Sequence, residues 1–210
     1  MHMKQFALAA LLLLLASQAH AQFGVKGGIN EAVLTGRVGE DATYKTYFHA
    51  GIFYQAHIIG PLSIQPEALY SLQGSQLKGA TTTTNYTTRL NYIAVPILAK
   101  LTFGPVYVEA GPQFGYLVSA NEQGNVQVRG SSGNVLFGNV DQASTDNYKR
   151  GDFALVAGVG LKLGPIVRVG GRFVAGLNDI NNVRYLVGVN DARLQNRVFQ
   201  FYAAFQLPKL

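Results

Sequence analysis

His49 and His57 share the alternation of one segment, Glu67 and Ser71 share that of the next, and Lys100 and Glu109 flank a Gly-Pro pair inside an apolar stretch. These are the side chains from which a chemistry could be assembled. Histidine, serine and a carboxylate on facing strands would suit acyl transfer, with the imidazole accepting the proton of a hydroxyl nucleophile. If the reversal at Ile59-Gly60-Pro61 sets His57 opposite Ser63, then His49 opposes Ser71. Nothing in this spacing fixes an oxyanion site or the orientation of the imidazole, so no catalytic residue is assigned. The histidines His49 and His57, without cysteine anywhere in the chain, argue for no metal site. The glycines of "GVGLKLGP" open no helix after a strand, so they read as strand-packing glycines and not as a phosphate loop. No cofactor is expected. The sequon Asn85-Tyr86-Thr87 and the threonines 81 to 84 read as a polar loop tip.

The elements that must position these residues are strands. Apolar residues alternate with small or polar ones in eight segments, at approximately 23–32, 45–58, 62–74, 88–103, 106–120, 151–163, 166–177 and 196–208. Three connections are tight and carry Gly60-Pro61, Gly104-Pro105 and Gly164-Pro165. Proline fixes φ and glycine tolerates unusual dihedrals, so each pair suits a reversal between antiparallel strands. The other four, near 33–44, 75–87, 121–150 and 178–195, are long and polar. Short and long connections alternate strictly, which puts all short turns at one end of an up-and-down sheet. A transmembrane β-barrel has this asymmetry, with short periplasmic turns and long external loops. A soluble eight-stranded lipocalin-like barrel binding an apolar ligand is the competing architecture.

The stretch "LNYIAVPILAKLTFGPVYVEAGPQFGYLV" has the hydropathy of a spanning helix, yet Pro96, Gly104-Pro105 and Pro112 break any helix of that length. It reads as two membrane strands and their turn. If Gly104-Pro105 is a two-residue turn, Phe103 faces Val106 and Lys100 faces Glu109, an opposite-charge pair that would satisfy itself inside a barrel. The rows that alternate with the apolar ones hold glycine, uncharged polar residues and few charges, unlike the outside of a soluble sheet. That composition fits the filling of a narrow barrel, with Lys26, Glu67, Lys100, Glu109, Asp152, Lys162, Arg168 and Arg172 pointing inward.

Composition agrees. Only 13% of residues are charged, and 24 glycines, 11 tyrosines and 12 phenylalanines suit a β-rich protein. Residues 1–21, "MHMKQFALAALLLLLASQAHA", have the basic start, apolar run and small-residue site of a cleaved secretory signal, leaving residues 22–210 as one domain. Removing Lys4 from 17 basic residues, against 11 acidic ones, leaves a net charge of +5. The basic residues are scattered, so a nucleic-acid partner is not expected.

The sequence resembles the PorT-like outer-membrane β-barrel proteins of Gram-negative bacteria. The resemblance lies in "GVKGGIN" from Gly24, "SIQPEALYSLQGS" from Ser63, "NYIAVPILAK" from Asn91, "AGPQFGYL" from Ala110 and "GLNDI" from Gly176. It implies an eight-stranded barrel in the outer membrane and says little about activity. Two positions depart from the family: Ala94 replaces a frequent acidic residue, and "FQLPKL" lacks a terminal aromatic. The expected protein is an all-β, eight-stranded antiparallel transmembrane barrel, monomeric, with a filled lumen and a structural or surface-interaction role. A porin-family relationship is compatible with the fold class, but an open pore is not expected. A lipid-modifying membrane enzyme is the alternative activity. The expected partners are outer-membrane lipid and lipopolysaccharide, the barrel-assembly machinery, and an unknown surface ligand at loop 121–150, whose two halves could form a hairpin around "GSSG". Lipopolysaccharide phosphates would meet a slight basic excess at loop and rim positions, at Arg37, Lys45, Lys78, Arg89, Arg129, Lys149, Arg150, Arg184, Arg193 and Arg197.

Overall fold

The structure is a computed structural model describing residues 22–36, 42–78, 85–129, 135–182 and 194–207. The expected signal segment lies outside them. The described residues form strands β1 (Gln22–Thr35), β2 (Ala42–Thr43), β3 (Lys45–Ile59), β4 (Leu62–Lys78), β5 (Asn85–Phe103), β6 (Val106–Arg129), β7 (Val135–Ala143), β8 (Gly151–Leu163), β9 (Val167–Gly176) and β10 (Gln195–Gln206), with one 3-10 turn at Thr145–Asn147.

Eight of these strands close a ring in the order β1-β3-β4-β5-β6-β8-β9-β10, and β10 returns to β1 in antiparallel register from Gly24↔Gln206 to Thr35↔Gln195. Closure leaves no sheet edge in the bilayer, where an unpaired peptide group would have no water to turn to. The tight reversals use glycines at positive φ: Gly60 (53°), Gly104 (58°) and Gly164 (81°). Gly104-Pro105 is a two-residue turn with Phe103 opposite Val106, and the register carries Lys100 to Glu109. The third reversal includes Ile166, because Leu163 pairs with Val167. Prolines interrupt the ladders without ending the strands: pairing skips from Phe53↔Glu67 to Ala56↔Ile64 near Pro66, and from Pro96↔Gln113 to Ala99↔Ala110 near Pro112.

The described parts of the connection placed at 75–87 are strand, and the hairpin expected within 121–150 is present in β6 and β7. β4 and β5 stay paired out to Lys78↔Asn85, and β6 continues to Arg129, where it pairs with β7 as a projecting hairpin. The periodicity of these segments is weak because beyond the bilayer neither face is held to one solvent. The short β2 adds to β4 through Ala42↔Leu77 and Thr43↔Gln76.

The apolar rows face out. Val25, Ile29, Phe48, Ile52, Ile64, Ile97, Val108, Val159, Leu161 and Phe201 are all exposed on the barrel's exterior. A soluble barrel would bury that row, so the direction of alternation selects the membrane architecture. The inner rows need small residues where the wall is crowded. A Cβ at Gly28 would lie 2.0 Å from the Phe201 carbonyl oxygen and 2.9 Å from the His49 ring.

Leu72, expected in the outward row, is buried. The β3–β4 ladder ends at His49↔Ser71, and every residue from Ser71 to Ser75 is buried. The lumenal side chain of Asn30 donates from Nδ2 to the Leu72 carbonyl at 2.7 Å, and the Tyr47 hydroxyl donates to the Thr88 carbonyl at 2.8 Å. The outer part of the β4–β5 hairpin thus leans into the barrel mouth. A register shift between Asn91 and Tyr92 on β5 accommodates the bend.

A closed ladder of this kind is expected to survive mild detergent until heated. Unboiled membrane fractions should give a band on a denaturing gel that shifts on boiling, and a soluble band without heat-dependent mobility would contradict the architecture.

Candidate functional site

The lumen is layered, and its charged layer occupies the half nearest the tight turns. Glu67 on β4 is the centre. Its Oε1 accepts from Lys26 Nζ at 2.5 Å and Gln65 Nε2 at 2.7 Å, and its Oε2 accepts from Arg172 Nη1 at 2.9 Å. Arg172 also donates from Nε to Gln200 Oε1 at 2.6 Å. Lys100 Nζ sits 3.4 Å from Glu109 Oε2 and donates to Gln65 Oε1 at 3.0 Å. Tyr202 donates to Glu109 Oε1 at 2.8 Å. Each lysine also rests on an aromatic face, Lys26 at 4.0 Å from the Tyr202 centroid and Lys100 at 3.9 Å from that of Tyr107. Lys26, Glu67, Lys100, Glu109 and Arg172 are all at most 3% exposed. Charges so far from water persist only if paired and hydrogen-bonded.

Asn30 links this layer to the histidine. Its Oδ1 accepts from Gln200 Nε2 at 2.9 Å and lies 2.7 Å from His49 Nδ1, while its Nδ2 donates to Ser71 Oγ at 3.0 Å. Because an amide oxygen only accepts, His49 Nδ1 carries the proton and Nε2 is the free acceptor. The register does place His49 opposite Ser71, yet His49 Nε2 has no hydrogen-bond partner and Ser71 Oγ faces the Asn30 amide. No hydrogen bond joins the hydroxyl to the imidazole, and His49 is 1% exposed. His57 turns away to the Gly60 carbonyl at 2.8 Å.

Above the charged layer apolar clusters join the expected polar filling, which continues there in buried Asn91, Gln113, Glu122, Asp152 and Asn196. Ala32, Leu98, Ala154, Val156, Val174 and Val198 form one cluster, and beyond them Leu34, Leu90, Tyr92, Leu117, Ala120, Tyr148 and Ile180 form a second. Tyr148 and Ile180 come from connections and not from barrel strands. The segment "GLNDI" fastens them. Asn178 accepts from the Phe153 N–H at 2.6 Å and donates to the Gly151 carbonyl at 2.9 Å. Asp179 Oδ1 accepts the N–H groups of Asn181 at 3.0 Å and Leu194 at 2.9 Å, and Oδ2 meets Lys149 Nζ at 3.3 Å. Partial burial pushes the Asp179 carboxyl up, but these N–H groups and Lys149 outweigh it and hold it below the usual aspartate range. Buried Glu122 accepts the Tyr148 hydroxyl at 2.8 Å. The result is a packed external seal in which apolar side chains and hydrogen-bonded polar ones are both buried.

Of the residues expected to point inward, Lys26, Glu67, Lys100, Glu109, Asp152, Arg168 and Arg172 are buried. Asp152 stands apart from the charged layer and accepts from Asn196 Nδ2 at 2.6 Å. Lys162 is half-buried at the turn-side mouth with Arg168. Ala94 lines the lumen at 2% exposure. Of the rim cations, Arg37, Arg184 and Arg193 lie outside the described residues, and the backbones of Lys78 and Arg129 lie on strand extensions. Arg89, Lys149 and Arg150 are exposed, and Lys45 and Arg197 half-buried. Asn30, Gln65 and Tyr107 were not singled out from sequence. Their signal was parity with an inward charge: Asn30 falls in the row of Lys26, Gln65 in that of Glu67, and Tyr107 in that of Glu109.

Replacing Glu67 with glutamine removes the countercharge of both Lys26 and Arg172. A loss of about 3–5 kcal/mol is expected for an unpaired buried charge, read by urea unfolding in lipid vesicles. A loss below about 1 kcal/mol would show that the layer does not depend on Glu67.

No protein of curated function matches the sequence. Among solved structures, Neisserial surface protein A is similar at 14% identity, with 89% of this chain and 99% of that chain covered and a TM-score of 0.48. The attachment invasion locus protein of Yersinia pestis is similar at 8% identity, covering 89% and 99% with a TM-score of 0.47. OprG from Pseudomonas aeruginosa is similar at 10% identity, covering 91% and 98% with a TM-score of 0.44. The family model described as the outer membrane protein beta-barrel domain matches residues 16–182. With that match and a closed barrel that turns its apolar rows outward, the chain belongs to the outer membrane protein beta-barrel domain family and resides in the outer membrane.

Proposed function

We propose that the protein is a closed anchor that presents its external loops and the β6–β7 hairpin at the cell surface, and that it is neither a channel nor an enzyme. The seal around Tyr148 and Ile180 is the observation that carries this reading. Among the described residues it stacks two apolar clusters on a charge-paired layer, a filling that supports a closed lumen. The free acceptor of His49 faces no hydroxyl, which speaks against the lipid-modifying alternative. Within its family we place the chain among the PorT-like members, on the ordered series of motifs from "GVKGGIN" to "GLNDI". We read it as a monomer, exported through a signal cleaved after residue 21 and inserted by the barrel-assembly machinery.

The surface partner we favour is lipopolysaccharide. Exposed Arg89, Lys149 and Arg150, with half-buried Lys45 and Arg197, supply cations above the aromatic belt of Tyr44, Phe173 and Phe199. The projecting hairpin of β6 and β7 is the place for a further ligand.

In planar bilayers the purified protein is expected to give no channel-sized steps; regular conductance steps would overturn the closed-anchor reading. Replacing Arg89 and Arg150 together with glutamine should weaken binding of lipopolysaccharide vesicles while leaving the heat-shifted gel band intact. Unchanged binding would remove lipopolysaccharide as the partner of this rim.

A further inference from the structure

The opposite mouth of the barrel, between the tight turns, holds a cavity of about 530 Å³ whose charge is unbalanced. Lys162 on β8 and Arg168 on β9 are cross-strand partners, and both line it. Like charges directly opposed on a sheet repel one another. Among the described residues no carboxylate lines the cavity, and neither cation forms an ion pair. The carboxylates deeper in the lumen are already engaged: Glu67 by Lys26 and Arg172, Glu109 by Lys100, Arg172 and Tyr202.

The remaining lining is rich in groups that can donate to an anion. Arg168 uses Nη1 to donate to Gln55 Oε1, which orients the guanidinium and leaves most of its donors uncommitted. Ser63 is 4% exposed, and the buried Thr102 hydroxyl has no hydrogen-bond partner. His57 stands at the edge of the same cavity. A guanidinium held in place beside an ammonium and two hydroxyls has the donor set that tetrahedral oxyanions take.

We propose that this mouth is an anion site for a phosphate group presented from the periplasmic side, with Lys162 and Arg168 as its cations and Ser63 and Thr102 as hydroxyl donors. The site lies at the mouth between the tight turns, where a free phosphate or a headgroup from the surrounding inner leaflet would have to enter. Inorganic phosphate and a phospholipid headgroup therefore share the required chemistry. The site does not depend on the surface role proposed above.

The test uses the full barrel in dodecyl maltoside, which carries no phosphate. Amide resonances of Thr102, Lys162 and Arg168 are followed during separate titrations with inorganic phosphate and with dihexanoyl phosphatidylglycerol, against sodium chloride of equal ionic strength. Saturable shifts with at least one probe are expected, and Lys162→Gln should weaken that binding about tenfold or more, as loss of a charged hydrogen bond does. Lys162 is half-buried at the mouth, so the variant is expected to keep its heat-shifted band. A response to phosphate alone identifies a free solute as the source, and a response to the lipid alone identifies the headgroup. Shifts no larger than those in chloride, or Lys162→Gln binding like the unaltered protein, would overturn the site.

Discussion

Eight strands joined edge to edge enclose a space only as wide as the side chains that fill it, and water is largely excluded from it. Polar groups on the inner rows are therefore drawn to partners across the lumen. Glu67 meets this constraint most fully, binding Lys26 across β3 from its own strand and Arg172 on β9 from the far side of the ring. These contacts join strands that are not neighbours in the sheet, so the charged layer braces the ring across its diameter while the backbone ladders hold it around the circumference. Closure and filling support each other. The ladder brings the charges within reach, and the charges fix the cross-section at which the ladder closes.

The two ends of the lumen are closed by different physics. On the turn side, partners are charged, aromatic and amide groups with defined directions. On the external side aliphatic and aromatic surfaces join bonds such as Asn196 to Asp152, and loop residues Asn178 and Asp179 fix backbone groups around Ile180. A loop tied in this way is part of the barrel's core. The paired β6 and β7 strands continue beyond the seal, from Asn121↔Ala143 to Arg129↔Val135.

The barrel was legible in the sequence because it rests on features local to each strand. Period-two alternation, Gly-Pro reversals and alternating connection lengths are repeated around the ring, so they reinforce one another. The pairing of Lys100 with Glu109 was equally accessible, since a two-residue turn sets the register over the whole hairpin. What could not be read depended on geometry across the ring. The triangle of Lys26, Glu67 and Arg172 joins three segments whose separation in sequence says nothing of their separation in the lumen. The inward lean of β4 beyond Ser71 was invisible because Leu72 keeps the parity of the outward row and is buried only by the bend. Ile180 and Tyr148 carry no periodic signal, sitting in connections that alternate with nothing.

The order of layers in the lumen bears on how such a chain enters a membrane. The external ends of the strands cross the hydrocarbon from the periplasmic side, and their inner rows include the apolar clusters. Lys26, Lys100, Glu109 and Arg168 lie within four residues of the turn-side strand ends, where a charge in lipid is less costly than at the midplane, and Glu67 and Arg172 lie deeper. Asp152, one residue from the start of β8, and Glu122, which accepts from Tyr148, are buried carboxyls on the external side. A barrel whose densest ion pairing sits toward its turns keeps most of its buried charges on the side from which water can reach the mouth.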